Sequence, residues 1–167
     1  MIVDVIRLGL FPAMMAIAAS SDLLTMTISN RVSLALVGGF FALAPVAGFG
    51  AAEVLSHVGA AGMVLALAFA LFARGWIGGG DAKLASATVL WLGFDHLLPY
   101  LICASLLGGA LTVMLLQFRT APLPVWLARR PWVQRLHDRD SGIPYGIALA
   151  AAAVAIYPHT PWMAGGA

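Results

Sequence analysis

Long apolar runs, interrupted by short clusters of glycine, charge and small polar residues, set the pattern of this chain. Six stretches approach the roughly 17–25 residues that a helix needs to cross a bilayer. They run over residues 3–21, 32–50, 58–74, 77–94, 97–118 and 143–160. The breaks are Ser29-Asn30-Arg31, Gly48-Phe49-Gly50, Arg74-Gly75, Phe94-Asp95-His96 and a long polar stretch from Arg119 to Gly142. Within each run the apolar residues are continuous and do not alternate, which predicts helices and not the strands of a barrel. The fourth run is the least regular. Glycines, Asp81 and Lys83 crowd its start, so its regular helix is expected to begin only near Asp81.

Composition places these helices in lipid. Hydrophobic residues make up 62% of the chain and charged residues 10%, against about 45–50% and about 25% for a soluble domain. The prediction is an all-α, polytopic integral membrane protein of about six transmembrane helices, forming one domain over residues 1–167. The net charge of +2 does not point to nucleic acid, a partner class that this hydropathy excludes. The positive residues describe topology instead. Eight of the nine Lys and Arg fall after the first, third and fifth runs: Arg31, Arg74, Lys83, Arg119, Arg129, Arg130, Arg135 and Arg139. The positive-inside rule then predicts both termini outside and three loops in the cytosol. Arg7 is the exception, and its spacing from Asp4 allows the two to pair on one helix face. Ala16-Ile17-Ala18 has the small residues of a signal-peptide cleavage site, but no basic region precedes it. The first run is expected to stay as a membrane span.

With so few acids, two carboxylates at the membrane boundary stand out: Asp22 in Ser21-Asp22-Leu23-Leu24, and Asp81 in Gly78-Gly79-Gly80-Asp81-Ala82-Lys83-Leu84. An acid beside a bilayer-spanning segment is costly without a partner and is a functional hypothesis by default. The predicted topology puts both at the cytosolic face. If they meet, they form a pair able to share one proton and activate a water, the chemistry of an aspartic peptidase. Glycines 78, 79 and 80 allow close backbone approach. They either leave an open groove for an extended substrate strand or permit tight helix packing. Ser29 or Asn30 is a natural cap for the second helix, and contact with substrate is an equal alternative for Asn30. Lys83 does not share a helix face with Asp81; it either anchors at the headgroups or tunes the acid pair.

The remaining features are weaker. His57, His96, His137 and His159 show no metal-ligand spacing, so no metal and no cofactor is expected. Cys103 lies in an apolar run and reads as packing. Residues 122–140 mix Trp126 and Trp132 with four arginines, which predicts a stretch lying on anionic headgroups. Ala104/Gly108, Ser105/Gly109 and Ala148/Ala152 are small-residue pairs at helix-packing spacing. Tyr145, at the cytosolic start of the last run, is near enough to be a site candidate. A proton-coupled transporter also keeps acids in the membrane, but it would place them near mid-span or show an inverted repeat. A non-catalytic pilus or secretion assembly subunit would not need two acids on one face.

Three elements together resemble the type IV prepilin peptidases: Asp22 with Asn30 eight residues on, Gly78-x-Gly80-Asp81-x-Lys83-Leu84, and Pro144-Tyr145-Gly146-Ile147-Ala148. The likeness is to the short form associated with Flp-type, tight-adherence pili, and it covers nearly the whole chain. The GxGD element alone is also shared with presenilin-like intramembrane proteases. The resemblance implies a multi-pass protein of the bacterial inner membrane that cuts prepilin leader peptides at the cytosolic face, after a glycine and before a hydrophobic segment. It implies Asp22 and Asp81 as the catalytic pair, with Gly78, Gly80, Lys83 and Asn30 as groove or motif support. Two departures matter. Ser29 stands where many relatives have proline, and the cysteine-bearing cytosolic region of the long bifunctional relatives is missing. A basic leader, which the likeness also implies, would be repelled by this cytosolic face except at Asp138 and Asp140.

Overall fold

The computed structural model describes residues 2–164, all of whose regular structure is helical. The side chains of residues 2–5, 7 and 164 are not among those described, so the expected pairing of Asp4 with Arg7 lies outside them. The main helices are α1 (Ile2–Thr25), α2 (Asn30–Leu43), α3 (Ala51–Ala73), α4 (Gly79–Phe118) and α7 (Gly146–Ile156). Two short helices, α5 (Val125–Ala128) and α6 (Pro131–His137), fill the polar stretch. A 3-10 turn (Tyr157–His159) and α8 (Pro161–Ala164) close the chain. Three helical stretches, Leu8–Thr25, Ala51–Ala73 and Gly79–Phe118, are long and apolar enough to cross a membrane, and two shorter apolar ones accompany them. The architecture is that of a membrane protein.

Helix α4 is the spine, with α2, α3 and α7 packed along it. Its 40 residues would measure roughly 60 Å if straight, about twice the hydrocarbon thickness. It is not straight. Gly93, at φ 69 and ψ −177, breaks the helix inside what sequence patterning reads as two spans, in a conformation essentially reserved for glycine. The carbonyls just before the kink find side-chain partners. His57 Nδ1 lies 2.8 Å from Leu90 O, Trp162 Nε1 donates to Trp91 O at 2.8 Å, and His96 Nδ1 faces Leu92 O at 3.2 Å. His57 and His96 thus serve the backbone at the kink, and His57, buried in a greasy interior, needs such a partner.

Around the kink lies an aromatic core. Trp91 and Trp162 are fully buried with ring centroids 4.6 Å apart, and Phe11 stacks on Tyr157 at 4.4 Å. The Trp91 indole also donates to Leu36 O at 2.9 Å, fixing α2 against α4. This cluster anchors one end of the bundle. Asp81 lies about three turns away along α4, at the other end, so the rigid core positions the acids without touching them.

Some boundaries differ from the sequence pattern for local reasons. α2 stops at Leu43, and residues 44–48 form turns around Pro45 and Gly48, the latter at φ 84. α3 starts seven residues earlier than hydropathy predicts, because Glu53 sits in its first turn, where the helix dipole favours an acid. Of the small-residue pairs, Ala104/Gly108 and Ala148/Ala152 face inward as expected. Ser105/Gly109 does not: both are exposed, nothing lies within 4 Å of a Cβ built on Gly109, and Ser105 bonds to Leu101 O of its own helix.

Candidate functional site

Asp22 occupies the last turn of α1, and its chain turns sharply at Met26, which adopts a left-handed φ of 55. The turn ends the helix within one turn of the acid and sends the chain toward α2. Asp81 occupies the first turn of α4, whose cap is Gly78. A backbone N–H at a helix start holds each carboxylate. Gly146 N, the first residue of α7, donates to Asp22 Oδ2 at 2.7 Å. The Gly78 N–H donates to Asp81, the return half of a capping box. Both acids thus sit at the positive ends of helix dipoles, where unpaired N–H groups seek anions.

The two carboxylates are close enough to interact electrostatically, and both line one cavity of about 920 Å³. Besides Asp22 and Met26 at the end of α1, its walls come from three later stretches of the chain. The α3–α4 turn supplies Gly75, Trp76, Ile77 and Gly78; α4 supplies Thr112, and Arg119 follows at its far end; Ser141, Gly142, Ile143 and Tyr145 lead into α7. The Arg74 guanidinium stacks 5.6 Å from the Trp76 ring centre beside the cavity. Asp22 itself is only 5% exposed, so the fold holds it in place rather than leaving it on a mobile surface.

The other sequence candidates divide. Gly78 lines the cavity, and a Cβ there would stand 2.9 Å from Asp81 Oδ2. Gly80 instead lets α4 approach the loop after α1, since a Cβ at this residue would stand 3.2 Å from Ile28 Cβ. Gly79 does the same against Phe72. Gly78 therefore borders the cavity close against Asp81, while Gly79 and Gly80 serve close packing. Asn30 and Lys83 meet each other, with Lys83 Nζ donating to Asn30 Oδ1 at 2.9 Å, but they line a separate groove with Ser33, Leu34 and Ser86 and not the acid cavity. The cap of α2 is Ser29, which accepts from Arg31 N at 3.3 Å. Tyr145 reaches the acid cavity, its hydroxyl pressed against Gly108.

Arg119 is the residue that sequence reasoning placed elsewhere. It reads as one more positive charge in a cytosolic loop, yet it is 7% exposed and lines the acid cavity. Its Nε donates to Leu136 O at 2.8 Å, and its Nη2 donates to Ser141 O at 3.0 Å and Gly142 O at 2.7 Å. The guanidinium fork thereby binds the end of the polar stretch onto α4. The one sequence signal was its place immediately after an apolar run, at the start of the polar stretch it fastens. Around it, Val133 and Leu136 of α6 are buried while Trp126 of α5 is exposed, so residues 122–140 form two short helices with an inner face.

Neither a curated protein nor a solved structure matches the chain significantly. A family model does: the type IV leader peptidase family matches residues 9–113, which include Asp22, Asn30, the three glycines, Asp81 and Lys83. With most of its length matched, the chain belongs to the type IV leader peptidase family.

Proposed function

We propose that this protein is a membrane-embedded aspartic endopeptidase that removes the leader peptides of type IV prepilins, of the Flp type, at the cytosolic face of the bacterial inner membrane. Family membership supports a leader-peptidase-like protease, and the Flp-type reading follows from the likeness of its three motif elements. One observation carries the mechanism: Asp22 and Asp81, far apart in sequence, line the same cavity. The whole chain works as one unit of six crossings with both termini outside, which keeps the acids and the basic loops on the cytosolic side. No cofactor takes part.

Asp22 and Asp81 hold one proton between them and bind a water. The ionised carboxylate takes a proton from this water as its oxygen attacks the scissile carbonyl carbon. The protonated partner donates to the carbonyl oxygen and stabilises the charge that develops there. When the intermediate collapses, the C–N bond breaks and the departing amine takes up a proton from the pair. The new acid end and the new amine then leave. Gly146 N–H and Gly78 N–H orient the two carboxylates throughout.

The test is cleavage of a purified prepilin by the purified full chain in detergent. Asp22→Asn and Asp81→Asn are each expected to lower the rate by at least about 10²–10⁴-fold, the range for acid–base groups, while the protein still inserts. Full cleavage by either variant ends the dyad mechanism.

A further inference from the structure

Helices α2 and α3 both pack on α4 but scarcely on each other, and the groove that Asn30 and Lys83 line is the gap between them. Its free polar groups gather at one end, where α2 and α4 start, and all of them can donate. Lysine has no acceptor, so its 2.9 Å bond turns the Asn30 carbonyl oxygen toward Nζ and the Asn30 NH2 away. The rest of the ammonium and that NH2 have no acceptor among the described residues. Nor has the hydroxyl of half-buried Ser33, one turn further along α2. Ser86 is already satisfied, donating to Ala61 O at 2.9 Å. None of the residues lining the groove is acidic, and beyond the polar end Leu34, Val37, Leu65 and Ala87 make it apolar. Leu34 is 69% exposed and Leu65 46%, so the groove lies open along its side. Around α3, a helix long and apolar enough to cross a membrane, what it opens to is lipid.

We propose that this groove binds one anionic phospholipid, of the phosphatidylglycerol type, with its phosphodiester on Lys83, Asn30 and Ser33 and an acyl chain along Leu34, Val37 and Leu65. The proposal rests on the membrane placement of the helices and not on the peptidase reading. A cluster of donors, one of them charged, selects a phosphate, whose free oxygens only accept and carry the opposite charge. It selects against the ammonium headgroup of phosphatidylethanolamine, which would bring a second cation beside Lys83 and find no carboxylate. The apolar length selects a phosphate that carries chains. From Asn30 to Val37 helix α2 rises about 10 Å, which takes the lining from headgroup level into the hydrocarbon. A lysine that merely snorkelled would extend toward bulk headgroups. Lys83 instead reaches across to a second helix, and its bond to Asn30 fixes the ammonium over the groove.

The experiment is native mass spectrometry of the purified full chain, incubated in detergent with equal amounts of phosphatidylglycerol, phosphatidylethanolamine and phosphatidylcholine carrying the same chains. The wild type is expected to retain one phosphatidylglycerol at least about tenfold more often than either other lipid, the ratio that one charge-assisted hydrogen bond brings. Lys83→Gln is expected to abolish that preference and Lys83→Arg to keep it. Val37→Trp, which fills the apolar length, is expected to remove the retained lipid with Lys83 still in place. Arg139→Gln takes the same charge from an exposed residue outside the groove and should leave the preference intact. A wild type that shows no preference overturns the proposal. So does a Lys83→Gln variant that keeps it, or an Arg139→Gln variant that loses it equally, since the protein's general charge would then be at work. Glycerophosphoglycerol, the same headgroup without chains, should fail to compete; displacement of the lipid at equal concentration makes this a site for free anions and ends the lipid reading. A lipid-free dimer in the spectrum, lost in Val37→Trp, would assign the groove to a second copy of the chain and is equally fatal. If Lys83→Gln fails to insert, Ser33→Ala must lower the preference at least about threefold, the loss of one neutral hydrogen bond, and an unchanged ratio there counts against the site.

Discussion

Gly146 shows how little room the acid pair has. A methyl group at this residue would stand 2.8 Å from Asp22 Oδ2 and 3.2 Å from Asp22 Cβ, against a side chain that the Gly146 N–H itself holds at 2.7 Å. Gly146→Ala keeps that N–H but pushes the carboxylate off its donor. The expected result is a fall in kcat/KM of about 10²-fold, the loss that a displacement of about 1 Å brings, with the helix content unchanged by circular dichroism. Wild-type cleavage by the variant would mean that Asp22 has freedom the packing denies it. Asp22 and Asp81 are legible in the sequence because carboxylates are rare and expensive in an apolar chain. Their supports are harder to read. Gly146 stands in one of the three motif elements, but its hold on Asp22 shows only once α7 is folded onto α1, and the Asn30–Lys83 contact joins residues whose separate roles sequence leaves open.

At the scale of elements, the break in α4 decides where the acids lie. Apolar patterning predicts an interruption at Phe94-Asp95-His96; the backbone breaks at Gly93, one residue earlier. The reason is conformational and not hydropathic, since φ 69 with ψ −177 excludes a side chain, and a Cβ would also meet the His57 ring at 2.9 Å. Gly93→Ala is expected to destabilise the protein by at least about 2 kcal/mol, adding left-handed strain to a clash, seen as a lower Tm in detergent. An unchanged Tm would show that the kink relaxes freely. The break also shortens the helices that carry the site. The first half of α4 (residues 79–92), α2 and the stretch Gly146–His159 each span roughly 21 Å at 1.5 Å per residue, against about 30 Å of hydrocarbon. Their starting ends gather near the acids, through Lys83 on Asn30 and Gly146 on Asp22. The 920 Å³ cavity opens at this gathering of helix ends, with both carboxylates in its wall.

At the scale of the whole molecule, the peptidase needs its last third to close a site that its first two-thirds begin. Hydropathy and composition read residues 119–142 as a polar interval with an interfacial stretch; the folding of α5 and α6 depends on hydrogen-bond partners that neither registers. Those partners are the buried guanidinium of Arg119, the His137 ring on Ala121 O at 2.9 Å, and Arg135 reaching Leu24 O at 3.2 Å. The Arg119 contacts matter most, since Ser141 and Gly142 are both cavity wall and the lead into Gly146. Hydrogen bonds from a charged donor contribute about 1.5–3 kcal/mol each and do not add fully. Losing even one makes the segment open at least about tenfold more often, at about 1.4 kcal/mol per factor of ten. Arg119→Ala is therefore expected to speed proteinase K cutting within 120–142 by at least about tenfold and to lower prepilin cleavage alongside it. The aromatic core at the other end should keep the transmembrane helices folded in hydrogen exchange. Arg119→Lys, a cation without the planar fork, should fall between the two. Unaltered proteolysis in Arg119→Ala would mean that α5 and α6 hold themselves in place, and that the wall facing Asp22 does not depend on the arginine.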